Sequence, residues 1–551
     1  MSKLERETTP DPAPRSGAQT IVDFLVKRGD RHVFGISGSS SVSVFNALYG
    51  SPITYVPTIH ESVAVAAADG YARVAGKPAT VLLYMVDGVV NSMSNIYNAW
   101  HADTPLLLLD LQPWSTGLTG HYGIVGEGDV VDMTRNITRL GAHVPLGSSL
   151  QTWLERAERI AAGPPGGPVL LSIPEDVLTG PGVPPIDGRA GRRVAPAAPD
   201  LTEVTAALAA AQKPLILAGS QIHHFGGSAA LVALAEQLHA PVAGDWLFSA
   251  QMPIGPGNPF YVGPIWSPAG RAAEQDADVV ISVGGRLAQA DHAPTTVMFP
   301  NARFIAHVSA DPATLEGVTN AHWTCACSPG AFLEGLVEEA SQTPADPTLT
   351  ASRRAWLGEA QQRRAAEDVP PWAVALSGAL ERGWVADETC SLAPVVDRAL
   401  LGEDGSRFVS ASGSSLGWAT GAACGVALAS GDPVTCTLGD GALRFGAEAL
   451  WTAKACELPI TYVVFDNGGY ASTRVYERQY VAQFRPGAQV GYIGSDLRGG
   501  PKVSDIFAGF DIPCTTVSGD GDVRAALVEA WNAKGPNALV IDIGFDAGVI
   551  P

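Results

Sequence analysis

Long apolar runs, a hydrophobic signal core, a cysteine framework and clustered basic charge are all missing from this chain of 551 residues. No apolar stretch approaches the roughly 20 residues that span a bilayer, which argues against a membrane-embedded protein. The first 16 residues, MSKLERETTPDPAPRS, are polar and read as a disordered tail on a cytoplasmic protein. Seven cysteines, scattered and odd in number, do not form a disulfide pattern. The Cys325-x-Cys327 pair is too isolated for a zinc site. Lysine and arginine total 35 against 55 aspartates and glutamates, a net charge of −20. That balance argues against nucleic-acid partners, which need clustered cations. An anionic ligand would have to be drawn in by local groups and not by the overall field.

What the chain does have is Ala, Val, Leu and Gly in the proportions of a globular α/β protein, and length for about three domains. Two breaks of Pro/Gly/Ala-rich composition divide it, within 181–200 and 341–371, the second with one charged helix. The segments between them, 17–180, 201–340 and 372–551, alternate short Val/Ile/Leu runs with amphipathic stretches. That alternation predicts doubly wound parallel sheets, three α/β domains in all. The outer segments also echo one another. Pro78 to Asp110 and Pro433 to Asp466 each run apolar strand, Asp-Gly turn, helix, proline and a second apolar strand ending in Asp. Every α/β domain repeats such a unit, so the echo alone does not establish paired domains.

The richest stretch is LGDGALRFGAEALWTAKACELPITYVVFDNGGY, ending at Tyr470. An acidic residue, Asp440, follows an apolar run in a Gly-Asp-Gly turn, and a second apolar run ends in Asp466-Asn467-Gly468-Gly469. In a parallel sheet both turns lie at the carboxyl ends of adjacent strands, where open α/β folds bind ligands. A carboxylate and an amide oxygen are hard ligands that leave coordination positions for phosphate oxygens, as a Mg²⁺-diphosphate clamp requires. The pattern resembles the GDG…NN motif of thiamine diphosphate-dependent enzymes, and its wording is closest to benzoylformate decarboxylase and acetolactate-synthase-like members. One departure is that Asp466 replaces the first Asn of the pair. The resemblance implies Asp440, Asn467 and the Gly469 carbonyl as Mg²⁺ ligands, and Gly441, Ala442 and Tyr470 beside the cofactor. It also implies pyrimidine-binding, Rossmann-like central and diphosphate-binding domains in that order. The first and last share a fold in that family, which favours the paired reading of the echo. KPLILAGSQ, ADVVISVGGR and ARFIAHVSADP look like strands of the central one.

In that family a carboxylic acid shares a proton with N1′ of the cofactor's aminopyrimidine, and such an acid belongs where water is scarce and its pKa is raised. Glu61, in TIHESVAVAAADGYARVAGKP, matches that position; it also suits a helix N-terminus. A bulky aliphatic residue props the cofactor in the family, and Leu416 in ASGSSLGWATGAACGVALA aligns with it. Thr389, in the Asp387-Glu388-Thr389 turn, aligns with the diphosphate contacts. The acid and the clamp come from different subunits in the family, so the resemblance implies a homodimer at least, and usually a homotetramer.

The substrate pocket is less legible. Histidines are natural proton donors near neutral pH. His60 adjoins Glu61, and His101 reads as structural at a helix end. His121, in a Gly-rich loop, resembles the His-bearing loop of pyruvate-type decarboxylases, and His292 lies near an active-site His of benzoylformate decarboxylase. Ser39, in FGISGSSSVSVF, matches the serine that holds the substrate carboxylate there. Tyr84 replaces that enzyme's other pocket histidine, and Asp87 stands where relatives have a small residue. A phenol, with a pKa of about 10, is a poorer proton shuttle than imidazole, and an extra carboxylate changes what the pocket accepts. Together these readings imply a thiamine diphosphate- and Mg²⁺-dependent enzyme that decarboxylates a 2-keto acid, coupling it in some cases to an aldehyde or ketone. The alternatives are an acetolactate-synthase-like carboligase, a benzaldehyde-lyase-like C–C lyase, or a catalytically inert cofactor-binding subunit. Some relatives carry FAD in the central domain; no local motif here decides that.

Overall fold

The computed structural model describes residues 15–113, 129–182, 199–245, 251–287, 298–316, 320–342, 346–402, 404–545 and 547. By packing the chain divides into two units. One holds Met1–Arg193, Thr420–Gly431 and Gly446–Leu458; the other holds Val194–Ala419, Asp432–Phe445 and Pro459–Pro551.

In the first unit a six-stranded sheet comprises β1 (His32–Gly35), β2 (Thr54–Pro57), β3 (Ala79–Tyr84), β4 (Leu106–Gln112), β5 (Leu140–His143) and β6 (Pro168–Pro174). Its order is β2-β1-β3-β4-β6-β5 and every pairing is parallel. The sequences LLLLDLQ and PVLLSIP are buried at every position, as strands covered on both faces must be. Ile21 and Leu25 of the Gly17–Arg28 helix join Val33, Leu82, Leu109 and Leu171 in the core. Ser16 caps that helix by accepting the Gln19 amide at 3.2 Å, and Gly29 ends it in the left-handed region.

The second unit has two sheets. The first comprises β7 (Pro214–Ala218), β8 (Val242–Gly244), β9 (Tyr261–Pro264), β10 (Val279–Val283), β11 (Phe304–Ser309) and β12 (Trp323–Ala326), in the order β12-β11-β10-β7-β8-β9. Read from β9 this is the 3-2-1-4-5-6 arrangement of dinucleotide folds. The other comprises β13 (Trp384–Glu388), β14 (Phe408–Ser410), β15 (Val434–Gly439), β16 (Ile460–Asp466), β17 (Cys514–Ser518) and β18 (Asn537–Asp542), in the order β14-β13-β15-β16-β18-β17. Rank for rank this is the order of the first unit's sheet, so the echo between the outer segments is an identity of topology. The charged helix expected between segments is Pro347–Ala365; its Arg364 pairs with Asp397 at 3.0 Å, and Tyr261 donates to the same carboxylate at 3.1 Å.

One local expectation needs correction. The Asp87-Gly88 and Asp440-Gly441 pairs are not turns but lie in the first turns of helices Met85–His101 and Asp440–Phe445. Beyond the second turn, Ala471–Phe484 is also helical. Among the described residues no helix is long and apolar enough to cross a membrane, and none of the seven cysteines forms a disulfide.

Candidate active site

In the first unit the chain reverses its direction of winding between β1 and β3, the switch point at which open sheets bind ligands. Ser39, just after β1, and Tyr84, the last residue of β3, meet there with their hydroxyl oxygens 3.0 Å apart. Gly38 makes the approach feasible: a Cβ on it would fall 2.1 Å from the Tyr84 ring. Tyr84 is followed by Met85 at φ 54, a left-handed conformation costly for a non-glycine residue. Asp87 is exposed one turn into the next helix.

Glu61 opens the Glu61–Ala75 helix, whose N-cap His60 accepts the Ser62 amide at 3.2 Å and whose C-cap is Gly76 at φ 63. His60 therefore helps fix the helix start beside the acid. Glu61 is only 7% exposed. Asn91 donates to its Oε2 at 3.1 Å, and a Cβ on Gly88 would lie 3.5 Å from its Cγ, so the Met85–His101 helix orients the carboxyl.

In the second unit a cavity of about 420 Å³ opens at the carboxyl ends of β13, β14, β15 and β16, across the β13/β15 switch point. Thr389, Leu416, Asp440 and Gly441 line it, and so do Ala442, Asn467, Gly469 and Tyr470. Every residue of this sheet that the sequence marked for cofactor or metal thus faces one space. Asp440 is 1% exposed; its Oδ1 accepts the Asn467 amide at 3.4 Å, while Oδ2 is buried with no hydrogen-bond partner among the described residues. Burial, followed by the charge of Asp466, pushes the Asp440 carboxyl up to about 6. An orphaned buried carboxylate oxygen is costly, and a divalent cation would relieve it, so these residues fit Mg²⁺. Arg474, wholly buried, donates to the Asn467 carbonyl and to Asn467 Oδ1, each at 3.2 Å. Asp466 accepts the Gly468 amide at 3.0 Å, a turn-closing role that Asp performs as well as Asn.

Asp387, fully buried and pushed up to about 6 chiefly by desolvation, accepts Thr437 Oγ1 at 2.7 Å and Thr389 Oγ1 at 2.9 Å. It ties β13 to β15 at the switch point, and it already engages the Thr389 hydroxyl. Residues that the sequence reading passed over also line the cavity: Glu388, Cys390, Ser391, Ser414, Ser472 and Thr473. Proximity to Thr389 was the only available signal for the first three. His121 and His292 lie outside the described residues. No cluster of three or more His, Cys, Asp or Glu suited to a metal occurs among the described residues.

Fold and site together define an α/β protein with a ligand-sized cavity at a switch point of a parallel sheet, and comparison with known proteins makes the class specific. Thiamine pyrophosphate enzyme models match in tandem: the N-terminal TPP binding domain over residues 15–133, the central domain over 201–336 and the C-terminal TPP binding domain over 392–543. The chain belongs to the thiamine pyrophosphate enzyme family. It is 33% identical over 284 residues to a Pseudomonas aeruginosa protein named "Probable 2-ketoarginine decarboxylase", an alignment that spans about half of each chain (50% and 50%). It is 25% identical over 551 residues to the acetolactate synthase isozyme 2 large subunit of Escherichia coli, covering 96% of this chain and 95% of that one. The crystal structure of benzoylformate decarboxylase from Polynucleobacter necessarius superposes with a TM-score of 0.81 at 22% identity, over 96% of this chain and 99% of that one. That likeness shows the shared fold.

Proposed function

We propose that this protein is a thiamine diphosphate- and Mg²⁺-dependent 2-keto acid decarboxylase of the benzoylformate decarboxylase type, able in addition to join the decarboxylated fragment to an aldehyde or ketone. The observation that carries the reading is the cavity at the β13/β15 switch point, where the unpartnered Asp440 Oδ2 lies among Asn467, Gly469 and Thr389. Asp440, Asn467 and the Gly469 carbonyl would hold the cation, and Leu416 would press on the cofactor. When bound, the cofactor supplies a nucleophilic thiazolium carbon and an electron sink for decarboxylation. Glu61, held by Asn91 in a water-poor setting, would share a proton with N1′ of the aminopyrimidine. The paired hydroxyls of Ser39 and Tyr84 would receive a substrate carboxylate, and His121 and His292 would serve as proton donors. The acid and the clamp would come from neighbouring subunits of a homodimer, itself half of a tetramer.

Tyr84 favours a second reading within the class. A phenol in place of imidazole disfavours simple protonation and leaves more room for carboligation or C–C cleavage, as in acetolactate synthase-like or benzaldehyde lyase-like enzymes. The intact Glu61, Asp440 and Asn467 argue against an inert cofactor-binding subunit. Carbon dioxide release should be measured over aliphatic, aromatic and cationic 2-keto acids, with and without thiamine diphosphate and Mg²⁺. Cofactor-dependent release from at least one acid is expected. No release and no carbonyl coupling from any of them would contradict the proposal.

A further inference from the structure

Glu388 ends β13 and is 2% exposed, yet it makes no ion pair among the described residues. Its two oxygens instead grip the backbone of a single turn: Oε1 accepts the Gly417 amide at 2.8 Å and Oε2 accepts the Ala419 amide at 2.9 Å. Leu416, the residue expected to prop the cofactor, immediately precedes the first of these amides. The turn belongs to no strand, and it contains Ser414 at φ 60 and Gly417 at φ 93. Gly417 cannot carry a side chain, because a Cβ there would lie 2.6 Å from the Phe445 carbonyl oxygen. A turn with two left-handed residues and no ladder bonds keeps its shape only if something outside it fixes its amides. Burying a carboxyl to do so is expensive: desolvation pushes Glu388 up to about 8 even against the amides of Ala419, Gly417 and Trp418. Such a cost is hard to explain by packing alone, since apolar residues of similar size fill space more cheaply.

We propose that Glu388 is a positioning residue for the cofactor: its carboxyl group staples the turn at Gly417 and Ala419 and thereby fixes Leu416 against the cavity that both residues line. The inference rests on the functional reading given above. A prop that bends a ligand must not yield, and two hydrogen bonds from the Gly417 and Ala419 amides to one buried carboxyl give the turn that stiffness. Glutamine at 388 would keep the size but offer one acceptor oxygen, and would turn an N–H donor toward the second amide. Aspartate would keep both oxygens but withdraw them by one methylene.

The test is a double-mutant cycle on Glu388→Gln and Leu416→Ala, read as thiamine diphosphate affinity at saturating Mg²⁺ by calorimetry, with hydrogen exchange of the 414–419 peptide in cofactor-free protein. Glu388→Gln should raise exchange at Gly417 and Ala419 and weaken cofactor binding by about ten- to a hundredfold, the range for lost supporting contacts around a bound group. The double variant should bind no worse than the weaker single variant, because Glu388 acts through Leu416. Losses that multiply, or wild-type-like cofactor affinity in Glu388→Gln, would overturn the proposal. If Glu388→Gln does not fold, Glu388→Asp replaces it in the same cycle with the same criteria. A wild-type protein that takes up no thiamine diphosphate would overturn both this inference and the functional reading. Normal uptake by wild type and Glu388→Gln alike would overturn this one alone.

Discussion

Replacing Asp466 by asparagine isolates the electrostatics of the cation site. Burial and, after it, the Asp466 charge raise the Asp440 carboxyl from an ordinary 3.8 to about 6. A proton on Asp440 competes with the cation, so below about pH 6 each further pH unit should weaken cation binding about tenfold, or ~1.4 kcal/mol. The sign for folding is the reverse of that for a salt-bridged carboxylate. Between the ordinary and the raised value the folded, metal-free protein holds a proton that the unfolded chain has released. Its stability therefore falls as pH rises through that window, by on the order of 3 kcal/mol from this group. Asparagine at 466 can still accept the Gly468 amide but carries no charge, so Asp440 should ionise at lower pH. The assay is Mn²⁺ binding to cofactor-free protein, followed by the resonance signal of the free ion from about pH 5 to 8. Wild type should bind Mn²⁺ about tenfold more weakly near pH 5 than near pH 7, and Asp466→Asn should lose less over the same interval. Wild-type affinity that stays flat across the range, or an identical profile in the variant, would refute the reasoning.

Glu61→Gln should retain cofactor affinity but lose activity by roughly 10²–10⁴-fold, the usual contribution of a positioned proton-transfer group; turnover like wild type would remove Glu61 from its role. Gly38→Ala places a methyl 2.1 Å from the Tyr84 ring. The ring must swing off Ser39 at a cost of about 1–3 kcal/mol, visible as a lowered melting temperature; an unchanged melting curve would show that the packing is loose. Tyr84→Phe keeps the ring and removes the hydroxyl that meets Ser39, so KM for the keto acid should rise several-fold, in line with about 1 kcal/mol for one hydrogen bond. An unchanged KM would separate this pair from substrate binding.

The sheets were legible because strands such as LLLLDLQ and ITYVVFD are apolar at most positions, and because Pro78–Asp110 and Pro433–Asp466 repeat one script. The cavity was legible because turns at the ends of neighbouring strands converge wherever a parallel sheet forms, so Asp440 and Asn467 must meet once β15 pairs with β16. Glu388 was not, since its meaning depends on amides at Gly417 and Ala419 that only the folded turn brings to it. The helix at Ala471–Phe484 escaped because among its residues only Ala471 and Arg474 are buried, while Tyr476, Tyr480 and Phe484 are exposed. Such a surface has no apolar stripe turned to the core, the signal by which helices are recognised. The Asp-Gly pairs looked like turns because Asp and Gly favour them; here both open helices, where an acidic first-turn residue is equally at home.

The most direct test is calorimetric titration of carefully stripped protein with thiamine diphosphate, with and without Mg²⁺. Saturable uptake of one cofactor per chain that requires the cation, and its loss in Asp440→Ala, is the predicted result. Absence of uptake in the presence of Mg²⁺, or uptake indifferent to both the cation and Asp440, would contradict the account.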